Sequence, residues 1–254
     1  MPLLDLAGKK IECELVIFDM TGTLIDVKSR LRARARSRAR ALTRLVGEEA
    51  VANWARLSGV NLGTWDTDED GPLAKASRRE DLIVAASAIY QTGRKWEEAK
   101  ELAKEAYDEA DESLASYYKP ALFDGVEDTL RRLRAAGLKL AIATNERRAD
   151  AEETMRITGG LELFDVVVGA DDVENPKPSP DMITMACEMC GTPSPRTVCV
   201  GDLPMDMKAG RAAGVKAVVA VCKSPESSPE LTRLADFIVE SVSDLQTIPG
   251  ETAL

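Results

Sequence analysis

Among the 254 residues there is no histidine. That absence excludes Ser-His-Asp and Cys-His catalysis, His-ligated zinc or haem, and any imidazole proton shuttle. Chemistry must come from carboxylates, hydroxyls, lysines, arginines, thiols or a metal held on oxygen. Cysteines are few and odd in number, five, at positions 13, 187, 190, 199 and 222, which is no disulfide framework. Cys187 and Cys190 form a CxxC inside a helix-like stretch without a second thiol pair, and they read as small buried residues of a helix face. No apolar run approaches the roughly 20 residues that cross a bilayer, and Met1–Glu14 carries Asp5, Lys9 and Lys10 where a signal peptide would be apolar. A soluble, cytoplasmic protein without a membrane partner is expected. Aromatic residues make up only 4% and the formal net charge is −10, a poor basis for a nucleic-acid-binding surface.

Short apolar runs do occur, and they alternate with helical patterns. Glu14–Phe18 is apolar and ends in a turn at Thr21-Gly22-Thr23. Comparable runs lie at 138–144, 166–169, 197–200, 217–221 and, weakly, 237–239, with helix-patterned segments at 126–136, 149–158, 181–189 and 205–213. Continuous apolar strands alternating with helices predict an α/β fold, a Rossmann-like parallel sheet covered on both faces. Function in such sheets gathers at the carboxyl ends of strands.

One interval breaks the alternation. A parallel crossover needs only a dozen or so residues, yet the first strand and the next are separated by more than a hundred residues rich in Ala, Arg, Glu, Lys and Leu. Helices are expected at 28–46, 49–57, 77–91 and 96–118. The chain therefore divides into a core domain, 1–27 and 120–254, and an inserted all-helical domain, 28–119. Within the insert, Lys28 and Arg30, 32, 34, 36, 38, 40 and 44 form a basic stretch, and Glu97–Glu112 is acidic. On a helix Arg30, Arg34 and Arg38 make one stripe. The plain reading is exposed or mutually paired faces; binding of an anionic substrate is the alternative. Nucleic acid is disfavoured, because no aromatic residues interleave with the arginines.

The chemistry-bearing residues stand at strand ends. Asp19 follows Val16-Ile17-Phe18 and precedes Met20-Thr21-Gly22-Thr23-Leu24; such a carboxylate can be a nucleophile, a metal ligand or a cap. The segment VIFDMTGTLID resembles the first motif, DxDGT, of the haloacid dehalogenase-like superfamily. The other motifs follow in order: Thr144 and Asn145 after Leu140-Ala141-Ile142-Ala143, Lys177 in Asn175-Pro176-Lys177-Pro178, and Gly201-Asp202-Leu203-Pro204-Met205-Asp206. The resemblance covers nearly all of 14–245 except the helical insert, which in that family is a cap between motifs I and II.

The resemblance implies a phosphatase in which Asp19 attacks phosphorus and Mg²⁺ is held by Asp19, the Thr21 carbonyl and Asp202, with Asp206 beside them. Thr144, Asn145, Gly22 and Lys177 would bind the phosphate of a small phosphorylated, anionic substrate. The physics is coherent: a carboxylate attacks an anionic ester only when cations neutralise the site, and a hard ion such as Mg²⁺ takes few carboxylates and keeps several waters. A homodimer through the cap is compatible with the family.

One position departs from the pattern. The family's phosphatases carry a second Asp two residues after the nucleophile, as general acid and base; here Thr21 stands there. That group contributes typically about 10²–10⁴-fold, so Thr21 implies slower turnover, a substitute group, or a phosphate-binding regulatory protein. P-type ATPases, which are relatives, have Thr at the same place. Phosphonoacetaldehyde hydrolases also lack the second Asp and use a cap lysine as a Schiff base. Lys75 in Gly71-Pro72-Leu73-Ala74-Lys75 loosely resembles that segment, so C–P cleavage is the alternative reaction.

Overall fold

The computed structural model describes residues 2–6, 8–68 and 71–248. It divides into two compact units, one comprising Met1–Asp26 with Pro120–Leu254 and the other Val27–Lys119.

The strands of the first unit are β1 (Leu3–Leu6), β2 (Lys9–Glu12), β3 (Leu15–Phe18), β4 (Lys139–Ala143), β5 (Val166–Val168), β6 (Thr197–Gly201), β7 (Ala217–Val221), β8 (Phe237–Val239) and β9 (Gln246–Ile248). Six of them form one sheet in the order β5-β4-β3-β6-β7-β8, every neighbouring pair parallel. From β3 the chain first builds outward through β4 and β5, then crosses back to β6 and builds the other way. The strand order thus reverses beside β3, where open α/β sheets bind ligands beyond their carboxyl ends.

Alternation along β3 explains why its sequence is apolar throughout. Val16 and Phe18 pack on one face with Leu140, Ile142, Val198 and Val200. Leu15 and Ile17 pack on the other with Ala141, Ala143, Cys199 and Met182. The insert helices take the labels α1 to α5 below; those of the first unit are α6 (Val126–Ala135), α7 (Arg148–Thr158), α8 (Asp181–Met189), α9 (Pro204–Ala212) and α10 (Pro229–Leu234). Val126, Leu130 and Leu133 of α6 and Met155 of α7 cover the first face, and Met182, Ile183 and Ala186 of α8 with Met207 of α9 cover the second. Cys187 and Cys190 are buried free thiols on and just after α8, as read.

A second sheet was not foreseen. Strands β2, β1 and β9 pair antiparallel in that order, with Leu4 and Leu6 fully buried under the core. The N-terminal residues, read only for the absence of a signal sequence, are therefore structural.

Among the described residues, the second unit contains only helices as regular elements: α1 (Val27–Leu45), α2 (Glu48–Ser58), α3 (Pro72–Lys75), α4 (Arg78–Tyr90) and α5 (Trp96–Tyr117). Its core is alanine-rich, with Leu42, Trp54, Leu73, Ile89 and Tyr107 as the large members. Ser77 caps α4, its hydroxyl accepting from the Glu80 N–H while the Glu80 carboxylate accepts from the Ser77 N–H. The basic stretch corrects one expectation. Arg44 does pair at the surface with Glu109, but Arg38 is fully buried, donating to Asp81 with its guanidinium 4.0 Å from the Tyr107 ring centroid.

Candidate active site

Three adjacent strand ends bring the chemical groups together. Asp19 follows β3, Thr144 follows β4 and Asp202 follows β6, and β3 lies between the other two. The Asp19 N–H donates to the Val200 carbonyl at 2.8 Å, extending the β3–β6 ladder to the reactive residue itself. After Asp19 the chain turns sharply. The N–H groups of Leu24 and Ile25 both donate to the Met20 carbonyl, and the Gly22 N–H donates to the Ile25 carbonyl at 3.0 Å. Gly22 has φ of +97°, and a Cβ there would collide with the Asp202 carboxylate. Gly201 is required similarly, since a Cβ would overlap Asp206.

Lys177 is the centre of the site. Its side chain is nearly inaccessible, and Nζ donates to Asp19 Oδ1 at 2.7 Å, Asp206 Oδ1 at 2.6 Å and the Ala143 carbonyl at 2.7 Å. Three acceptors use all three ammonium donors. Burial opposes its charge, yet Asp19 and Asp206 outweigh that and hold the ammonium above the ordinary lysine range. Asp206 is itself anchored, its Oδ2 accepting from the Leu203 N–H at the start of α9. Asp202 Oδ1 accepts from the Thr23 hydroxyl at 2.8 Å.

One oxygen from each of Asp19, Asp202 and Asp206 lies within 4.8 Å of the others. Burial pushes the Asp19 carboxyl up to about 7; Lys177 opposes this, and Asp206 and Asp202 add to it. Burial likewise raises Asp202 to about 6, against the Thr23 hydrogen bond. Carboxylates this crowded, with one ammonium among them, fit a hard divalent cation: the donors are all oxygen, and the cation offsets the mutual repulsion that adds to both shifts. Asp206 gives its oxygens to Lys177 and Leu203, which suits an orienting role better than direct ligation.

These shifts set a pH dependence. Both folded-state values lie above the roughly 3.9 of an unfolded aspartate, so between about pH 4 and 7 the folded protein binds more protons than the unfolded chain. Stability from these two groups is therefore present at low pH and is lost as pH rises through that window. In EDTA the wild type should lose melting temperature between pH 5 and 7.5 more steeply than Asp202→Asn. Parallel profiles from differential scanning fluorimetry would contradict this.

The remaining expected residues fall as follows. Thr144 is buried, and its hydroxyl accepts from the Glu146 N–H at 3.2 Å. Asn145 clamps Lys177: its Oδ1 accepts from the Lys177 N–H at 3.1 Å and its Nδ2 donates to the Lys177 carbonyl at 3.0 Å. Thr21 donates its hydroxyl to Glu146 Oε1 at 2.6 Å. Glu146 is the residue that motif reading missed; the signal was a carboxylate two positions after Thr144 in a chain lacking the motif I acid. The Lys75 side chain lies outside the described residues.

A family model described as haloacid dehalogenase-like hydrolase matches residues 13–214. The chain is 35% identical over 131 residues to pyrophosphatase PpaX of Halalkalibacterium halodurans, covering 52% of this chain and 61% of that protein. It is 29% identical over 235 residues to phosphoglycolate phosphatase of Escherichia coli O157:H7, covering 91% and 90%. A crystal structure assigned to a β-phosphoglucomutase from Thermotoga maritima matches with a TM-score of 0.64 at 24% identity, covering 91% of this chain and 95% of that one, and so shares the fold. No helix among the described residues is long and apolar enough to cross a membrane.

Proposed function

Because the chain belongs to the haloacid dehalogenase-like hydrolases, we propose that it is a phosphatase hydrolysing a small phosphorylated metabolite with Mg²⁺, through an aspartyl-phosphate on Asp19. The observation that carries this reading is the single buried ammonium of Lys177 held between Asp19 and Asp206, beside Asp202. A generic ion pair would need one carboxylate; this cluster has an excess of acid, which supports a site for a cation. The names of the relatives, a pyrophosphatase and phosphoglycolate phosphatases, point the same way.

In this reading Asp19 forms a bond to phosphorus as the ester oxygen departs, and water then cleaves the acyl phosphate. One hard displacement becomes two easier ones. Lys177 stabilises the negative charge on the transferring oxygens and keeps Asp19 aimed. Asn145 positions Lys177 through its backbone, and Asp206 fixes the ammonium from the other side. Thr144, just after β4, contributes to the phosphate-binding wall. Asp19, Asp202 and the Thr21 carbonyl would hold Mg²⁺, which when bound supplies the positive charge that lets a carboxylate approach a phosphate dianion.

The test is phosphate release from a panel of phosphate monoesters in Mg²⁺ and in EDTA. Turnover of at least one ester at about 10²-fold or more above the EDTA rate is expected. Binding of phosphate without turnover of any ester would instead favour a regulatory protein.

A further inference from the structure

The Thr21 position lacks the acid that the proposed reaction needs, and the fold returns one from 125 residues away. Glu146 Oε1 accepts from the Thr21 hydroxyl at 2.6 Å, close enough for a proton to pass between the two groups. The Glu146 backbone is pinned on both sides. Its N–H donates to Thr144 Oγ1 at 3.2 Å, and its carbonyl accepts from the Ala170 N–H at 2.8 Å. Thr144 follows β4 and Thr21 follows β3, each within a few residues, so two neighbouring strands of one sheet hold the pair in place. We infer that Glu146 and the Thr21 hydroxyl form the proton-transfer pair of this site, standing in for a carboxylate at position 21. This rests on the phosphatase reading above.

The balance of the two half-reactions is as follows. Glu146 enters as the carboxylic acid: when Asp19 bonds to phosphorus and the phosphorus–oxygen bond to the leaving group breaks, the departing oxygen takes the Thr21 hydroxyl proton, Thr21 takes the Glu146 proton, and Glu146 is left as the carboxylate. When water attacks the aspartyl-phosphate and the phosphorus–Asp19 bond breaks, a water proton passes to Thr21 and the Thr21 proton to Glu146. The carboxyl is thus restored for the next turnover. No electrons change hands and no other reagent is needed. A threonine alone cannot do this, since its hydroxyl is a poor acid and a poor base; the carboxylate behind it makes the relay work.

The experiment compares phenyl phosphate with p-nitrophenyl phosphate in Mg²⁺. Phenolate is a basic leaving group that benefits from protonation, whereas p-nitrophenolate leaves well without it. Glu146→Gln should lower kcat/KM for phenyl phosphate about 10²-fold and for p-nitrophenyl phosphate less than about 10-fold. Thr21→Val should show the same selectivity, which keeps the test sound if one variant folds poorly. Thr21→Asp added to Glu146→Gln should recover phenyl phosphate turnover to within about 10-fold of wild type. A structural role for Glu146 would affect both esters alike, and equal losses, or none, overturn the inference while the phosphatase reading stands. A wild type that releases phosphate from no ester in Mg²⁺, these two included, overturns both.

Discussion

Asp19→Asn will fold, melt at or above the wild-type temperature in EDTA, and lose at least about 10³-fold in phosphate release on any ester the wild type accepts. The two halves of this expectation have one cause. Asp19 is buried among Asp202, Asp206 and Lys177, and its carboxyl is pushed up to about 7. Replacing it with a neutral isostere leaves Lys177 paired with Asp206 and bonded to the Ala143 carbonyl, so the ammonium stays satisfied. Crowding among the acids is relieved and the metal-free fold gains. The same change removes the one side chain that bonds to phosphorus in the proposed mechanism, and an amide oxygen is a far weaker nucleophile. Measurement needs a discontinuous phosphate assay beside a thermal melt. Retained turnover would dismiss Asp19 as nucleophile; a large fall in melting temperature would mean that its charge holds the site together.

How far the sequence announced this site depends on the range of the interactions involved. Asp19, Thr144, Lys177 and Asp202 were legible because each sits at the end of an apolar strand or in a turn, where local pattern and function coincide. The six parallel strands were legible for the same reason: burial on both faces writes a continuous apolar run. The three-stranded sheet was not. β1 pairs with β9 across almost the whole chain, and β2, Lys9–Glu12, is mostly exposed and polar, so neither period nor composition marks it. Thr21 could be seen as a departure, but its pairing with Glu146 could not, since no local rule links residues beyond two different strand ends; only the place of Glu146 two positions after Thr144 hinted at it. Asn145 is a similar case. Its amide bonds the Lys177 backbone, a contact that its place beside Thr144 does not announce. The arginine stretch failed for a related reason: helical spacing identified the stripe containing Arg34 and Arg38, but only tertiary packing decides which stripe turns inward.

That inward stripe carries the second large effect, on stability. Asp81, fully buried on α4, accepts from Arg38 Nη1 and from the Tyr107 hydroxyl at 2.9 Å, and it lies 3.5 Å from Arg34 Nη2. Tyr107 in turn accepts from the Trp54 indole N–H at 2.8 Å. One carboxylate therefore neutralises two guanidiniums that stand one turn apart on α1, and it ties α1, α4 and α5 together, with α2 joined through Trp54. Arg34 is already held below the usual arginine range, by burial first and by Arg38 second. Asp81→Asn keeps an acceptor for Tyr107 but strands the Arg38 charge, and breaking a buried pair on one side costs about 3–5 kcal/mol. For a chain of this size that is on the order of 10 °C in the melting transition that includes the helical unit. Arg38→Met added to Asp81→Asn removes the stranded charge and fills its volume with an apolar chain, so the double variant should recover more than half of the loss. Denaturation followed by circular dichroism reads both values, since this unit is all helical in its regular elements. A double variant no better than Asp81→Asn alone would show that the helices depend on Asp81 for its hydrogen bonds, and that the buried arginine's charge counts for little.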